Sequence, residues 1–232
     1  MNYKKYQDMF RSVGIASAFL MLVACGENDA DKATDTATST EVTAASTNTG
    51  NASSAPVDRS VGTWGDIVYG SEDAPVTVIE YASLTCPHCA GFAREIFPQI
   101  KKEFIDTGKI KFVYRNFLLN RVDMAASTVA RCGDMKQTKK LMSVYFSRQN
   151  EWMRAENPQD ALASLARRTV NMSRTDFDRC LSNVEMHKNL VAMTSGAADQ
   201  YNISSTPQVV VNGEVTTDYS FETIKKAIEA EL

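Results

Sequence analysis

From residue 61 onward the chain alternates between short apolar runs of period two and longer stretches with apolar positions three and four apart. These are the patterns of half-buried strands and amphipathic helices. Ile67-Val68-Tyr69 predicts a short strand, and 70–75 a turn bounded by Gly70 and Pro75. Val76 to Ala82 predicts a buried strand through Val76, Val78, Ile79 and Tyr81, with Glu80 as its one charged residue. Phe92, Ile96 and Ile100 recur at i, i+4 and i+8, so a helix is expected from Pro87 to about Asp106. Pro98 falls inside it, removes one backbone donor and predicts a kink. Gly108 closes that unit, and Lys109–Asn116 alternates as a second main strand. Strand, helix and parallel strand make one βαβ unit.

From Leu119 to about Gln200 the period is helical throughout. Val122, Ala125, Ala126, Val129 and Ala130 form one apolar face. Asn157-Pro158 reads as an N-cap followed by proline at the first helical position, and Ser173 with Asp176 as a second helix start. Trp64 and Trp152 read as packing residues, and His187 as a surface or capping residue. The period returns to two at Ile203, with Pro207 directly before Gln208-Val209-Val210-Val211, a position a strand tolerates. Asn212-Gly213 is a two-residue hairpin turn into Val215–Thr217. Ser220 caps a last helix with Ile224, Ala227 and Ile228 on one face.

The N-terminal quarter is different. Lys4, Lys5 and Arg11 precede an apolar run of twelve residues from Val13 to Ala24, the length of a signal-peptide core and too short to span a membrane. Leu22-Val23-Ala24-Cys25 resembles a bacterial lipobox, which assigns 1–24 to a lipoprotein signal peptide and lipidation to Cys25. The alternative is an ordinary cleaved signal with a chance cysteine. Gly26 follows, rather than the Asp that resembles an inner-membrane retention signal, a weak lean toward the outer membrane. From there to Ser60 the chain is rich in Ala, Thr, Ser, Asn and Asp and lacks aromatic residues. It buries too little to offset chain entropy, so 25–60 is expected to be a disordered tether with an average reach of about 30 Å.

Composition adds exclusions. The net charge is −3 without a basic block, which gives no case for nucleic acid. The seven methionines between Met124 and Met193 fall on helical faces and read as core filler rather than a copper site. Of the five cysteines, Cys86 and Cys89 are spaced C-x-x-C. Zinc would need a second short-spaced pair, whereas His187 is the only histidine besides His88; covalent haem would need His where Ala90 stands. Cys86-Pro87-His88-Cys89 follows a strand and opens a helix, with Pro87 suited to the first helical position. The Cys86 sulfur then meets unpaired N–H groups and the positive end of the helix dipole, which favour thiolate; His88 adds a donor. A thiol pKa lowered by about 4 units stabilises the thiolate by about 5 kcal/mol, and only the reduced form gains it.

The chain resembles the DsbA family of exported thioredoxin-fold disulfide oxidoreductases from roughly Ser60 to Leu232. The likeness rests on Cys86-Pro87-His88-Cys89, on Glu80 six residues earlier and on Thr206-Pro207. It implies an α/β thioredoxin-like fold over 61–118 and 201–232, with an inserted helical domain over 119–200. It also implies a cis Thr206-Pro207 bond against the active disulfide, which would exclude metal and present the Thr206 backbone to substrate. Glu80 would serve as a buried acid exchanging the Cys89 proton. No cofactor beyond the Cys86–Cys89 disulfide is implied. Expected partners are unfolded or reduced exported clients and a membrane quinone-linked reoxidase. The expected location is the periplasm on a lipid anchor. With no N-terminal dimerisation module in the tether, a monomer is expected. Setting Cys25 aside, Cys132 and Cys180 remain, and a bridge closing about 49 residues would contribute about 4 kcal/mol; two buried free thiols are the alternative. Thr206 also occurs in isomerase-like relatives, which leaves oxidase against isomerase or reductase open, and Ala93 stands where some members carry Glu. A non-catalytic surface lipoprotein would explain the lipobox and tether, but not Pro87, His88 and Thr206-Pro207.

Overall fold

The computed structural model describes residues 64–232. The expected signal peptide over 1–24, the expected lipidation of Cys25 and the expected tether over 25–60 all lie outside the described residues. Within them, five strands form one mixed sheet in the order β1-β3-β2-β4-β5. β1 (Ile67–Tyr69) pairs antiparallel with β3 (Ile110–Asn116), β2 (Val76–Ala82) pairs parallel with β3, and β4 (Gln208–Val211) runs antiparallel to β2 and to β5 (Glu214–Val215). The β2–β3 pair is joined by a single helical rod: α1 (Pro87–Gly91), a π-helical turn (Phe92–Ile96), α2 (Phe97–Ile100) and a second π-helical turn (Lys101–Ile105). Pro98 sits just after the first π turn, where Phe97 N–H bonds Phe92 O and the Gln99 side chain donates to Glu95 O at 2.7 Å. The proline is accommodated by widening the helix rather than ending it.

Both sheet faces are covered. Val76 and Val78 of β2 face Phe92, Ile100 and Phe104 of the rod and Ile224 and Ile228 of α9 (Phe221–Glu229). Ile79 and Tyr81 face the other way, against Ala197 and Ile203. Glu80 has the parity of Val78, so the strand period itself turns the carboxyl toward the covered face under the helical rod. It sits opposite Tyr114 on β3 and Val209 on β4.

Between β3 and β4 run six helices: α3 (Arg121–Ala130), α4 (Met135–Ser147), α5 (Gln149–Met153), α6 (Pro158–Val170), α7 (Arg174–Leu181) and α8 (Val184–Tyr201). Asn157 and Ser173 cap α6 and α7 with their side chains. Their core gathers Leu141, Tyr145, Trp152, Leu162 and Phe177 and is continuous with Leu84, Cys86 and Cys89. Cys132, just past α3, is bonded to Cys180 on α7 with the Cα atoms 5.8 Å apart. Two packing expectations fail. Trp64 is 44 % exposed, its ring lying under the Arg131 guanidinium at 5.4 Å. Val122 is 38 % exposed, because α3 turns Asp123, not Val122, inward to bind backbone amides. Thr216 and Thr217 lie beyond the end of β5, with Thr216 folded back onto Val209 through its N–H and hydroxyl.

Candidate active site

β2 ends at Ala82, and Ser83-Leu84-Thr85 carries the chain over the sheet edge to Cys86. Ser83 shapes the turn: its hydroxyl accepts Thr85 N–H at 3.0 Å, and its carbonyl accepts Cys86 N–H at 3.2 Å. Cys86 takes the extended conformation of an N-cap (φ −80°, ψ 122°), Pro87 occupies the first helical turn, and the Cys86 sulfur accepts Cys89 N–H at 3.5 Å. Cys86 and Cys89 are separate thiols, both buried. Thr206-Pro207 is a cis peptide, and the Cys86 thiol donates to the Thr206 carbonyl at 3.3 Å. The adjacent Thr206 hydroxyl is buried without a hydrogen-bond partner, a donor available to a thiolate.

The two sulfurs have opposite proton affinities. Donation from the Cys89 thiol contributes most to holding the Cys86 pKa down at about 5, with help from the Thr206 hydroxyl and the N–H groups of Cys89 and His88; burial opposes them. Cys89 is driven far up, first by burial, then by giving its proton to Cys86 and by the neighbouring Glu80 charge. Glu80 is itself pushed up to about 8 by burial and by the Cys86 charge, and its Oε1 has no hydrogen-bond partner. It is therefore mostly protonated at neutral pH. The His88 side chain is exposed and turned away from this triangle, its Nδ1 lying 3.2 Å from the Tyr219 hydroxyl.

The structure also brings in residues that the sequence reading left out. Gln149, the first residue of α5, sends its side-chain amide to Leu84 O at 2.8 Å and Cys86 O at 2.9 Å. Asp123 accepts Leu84 N–H at 3.0 Å and Leu119 N–H at 3.1 Å, braced by Ser127. The segment entering α1 is thus clamped from the helical insertion by two buried side chains. A polar residue at a core-facing helical position was their only sequence signal. Among the described residues no group of three or more His, Cys, Asp or Glu side chains is placed to hold a metal ion.

A dithiol on a helix N-terminus, facing a cis-proline at the edge of a βαβ/ββα sheet, defines a thioredoxin-type redox site. Residues 63–230 match the family described as Thioredoxin. Disulfide bond formation protein D of Bacillus subtilis is 30 % identical over 177 residues, covering 72 % of this chain and 78 % of its own. A relative in Rickettsia conorii named for protein-disulfide oxidoreduction is 34 % identical over 168 residues, 72 % of this chain but 60 % of the relative. The chain thus spans about three fifths of the length of the rickettsial relatives it matches. The crystal structure of Wolbachia pipientis α-DsbA1 superposes with a TM-score of 0.66 at 24 % identity, over 75 % of this chain and 94 % of that one, a likeness of fold. The chain belongs to the thioredoxin family, in its DsbA-type disulfide oxidoreductase branch.

Proposed function

We propose that the protein is an exported thiol:disulfide oxidoreductase that introduces disulfides into other exported proteins, with Cys86–Cys89 as its only redox group. A client thiolate attacks Cys86 Sγ. The Cys86–Cys89 bond breaks, its electron pair passes to Cys89, and Cys89 takes a proton from Glu80. A second client thiolate then attacks the client sulfur of the mixed disulfide. The client leaves oxidised by two electrons, and Cys86 leaves as thiolate. Thr206 offers its backbone beside the sulfur to an extended client segment. Pro87 and His88 shape and supply the helix N-terminus.

The observation that carries this reading is the split between a Cys86 held at about 5 and a Cys89 held far above its ordinary value. An acidic outer thiol is a good leaving group, and its stabilised reduced form makes the disulfide oxidising. Isomerase or reductase activity on the same site is the competing reading. Equilibration with glutathione separates them: an oxidase has a potential far above that of thioredoxin, and a reductase lies near it. Reoxidation falls to a membrane quinone-linked partner. The lipobox-like Leu22-Val23-Ala24-Cys25 and the Thr/Ser/Ala-rich 25–60 segment support a lipid-anchored periplasmic location, with Gly26 a weak lean toward the outer membrane, and the catalytic domain acts there as a monomer. No described helix is long and apolar enough to cross a membrane. The names of the relatives in Bacillus subtilis and Rickettsia conorii support the chemistry and leave clients and location to experiment.

A further inference from the structure

His88 gives the Cys86 sulfur its backbone N–H, while its imidazole is engaged elsewhere. Its Nδ1 lies 3.2 Å from the Tyr219 hydroxyl, with the ring centroids 6.2 Å apart and the planes tilted by 52°. In the neutral imidazole the phenol O–H donates to Nδ1; in the cation Nδ1–H donates to the phenol oxygen. The contact therefore holds the ring in either charge state.

Tyr219 sits between β5 and α9 in a segment fastened at both ends. On one side the Gln208 side-chain amide, next to Pro207, donates to Thr216 O at 3.0 Å. The Thr216 N–H and hydroxyl donate to Val209 O at 2.9 and 3.1 Å. On the other side Asp218 accepts Ser220 N–H at 2.8 Å and the Thr223 hydroxyl at 3.0 Å, and Ser220 caps α9. The Tyr219 ring is half-buried against the cluster that contains Phe92 and Ile224. A braced loop thus presents a hydroxyl to an exposed side chain of the active-site helix.

Of the groups placed around Cys86 above, Cys89 and Glu80 carry negative charge or none, and Thr206 and Gln149 are neutral. The His88 imidazole alone among them can become a cation. A cation within about 4–6 Å of a thiolate favours the thiolate and so the reduced enzyme. His88 is two residues from Cys86, so the influence of its ring depends on where that ring is held.

We propose that Tyr219 is a positioning residue that holds the His88 imidazole off the Cys86 sulfur and thereby sets how oxidising the Cys86–Cys89 disulfide is. The inference rests on the disulfide-exchange reading and adds a determinant of its strength. With the hydroxyl gone, the ring is free to turn toward the thiolate. The reduced enzyme is then stabilised further and the disulfide becomes more oxidising.

Tyr219→Phe tests this, since it keeps the packed ring and removes one oxygen. The readouts are Cys86 alkylation across pH and the equilibrium in which enzyme disulfide and two glutathiones give enzyme dithiol and glutathione disulfide. Tyr219→Phe should lower the alkylation midpoint by about 0.5–1 unit and move the equilibrium about 3–10-fold toward the dithiol at pH 7. In a His88→Ala background the same substitution should move the midpoint by less than about 0.3 unit and the equilibrium by less than about 2-fold. The ring ¹⁵N shifts of His88 should change in Tyr219→Phe, while His187, the only other histidine, keeps its own. An equilibrium unchanged or moved toward the disulfide, an equal shift without His88, or unchanged His88 ring shifts overturns the proposal. A wild-type Cys86 that alkylates like an ordinary thiol sinks the disulfide-exchange reading instead, and the ring shifts still decide the contact with Tyr219.

Discussion

Cys132 and Cys180 are 2 % and 1 % exposed; Cys86 and Cys89 are 5 % and 0 % exposed. All four belong to one apolar cluster, together with Leu84, Trp152 and Phe177. Burial therefore does not separate the bonded pair from the thiol pair. Position relative to a helix start does. Cys132 follows the end of α3 and Cys180 lies within α7, where backbone donors are already used by the helix. Cys86 is the N-cap of α1, the place where N–H groups lack carbonyl partners and stabilise an anion. The same element fastens two helices in one region and carries charge in the other.

Breaking the thiol pair has the largest expected effect. Cys86→Ala should lower exchange with reduced ribonuclease by at least about 10³-fold, because no nucleophile remains. Cys89→Ala should instead accumulate mixed disulfides with clients, visible on non-reducing gels. An absence of adducts there would reverse the assignment of the outer and inner thiols. Breaking the bonded pair should do the opposite. Replacing Cys132 and Cys180 together by Ala is expected to cost about 4 kcal/mol in denaturant unfolding and leave Cys86 alkylation unchanged. A shifted alkylation profile would mean that the two regions are coupled.

The pH dependence of reduced-state stability sharpens the contrast. Cys86 is held below its unfolded value, so its contribution is fully present above about pH 9 and lost as pH falls through about 5. Four units correspond to about 5 kcal/mol, cut to a few by solvent screening near the sheet edge. Glu80 is held above its unfolded value, so its effect has the other sign: full stability below about pH 4.5, lost as pH rises through about 8. Between pH 5 and 8 the two nearly cancel, and unfolding free energy of the reduced protein should be flat. Glu80→Gln removes the falling component, so stability should climb by a few kcal/mol over that window. A flat profile in the variant would contradict the placement of both charges. The smallest effect is expected from Gln149→Ala. It leaves Leu84 O and Cys86 O short of a donor for about 1–3 kcal/mol, with the Cys86 pKa raised by less than about one unit.

Much of this contrast was legible in the chain itself. The family resemblance marked Glu80 as a buried acid, proline after Cys86 marked a helix start, and Asn212-Gly213 forecast a turn in which both residues have positive φ (45° and 95°). Local chemistry specifies such features. The clamp by Gln149 and Asp123 was not legible, because its partners lie 63 and 39 residues away. Nor was the exposure of Trp64 and Val122: period reports which face is apolar, not whether a neighbouring helix arrives to cover it.

The central claim concerns one sulfur and its proton. In reduced Cys89→Ala and wild-type protein, the rate of Cys86 alkylation by iodoacetamide, followed from pH 3 to 10, reports thiolate directly. The wild-type curve should have its midpoint near pH 5, and loss of the Cys89 donor should move it upward, since that thiol makes the largest contribution. A wild-type midpoint near that of an ordinary thiol, about 8.5, would contradict the account.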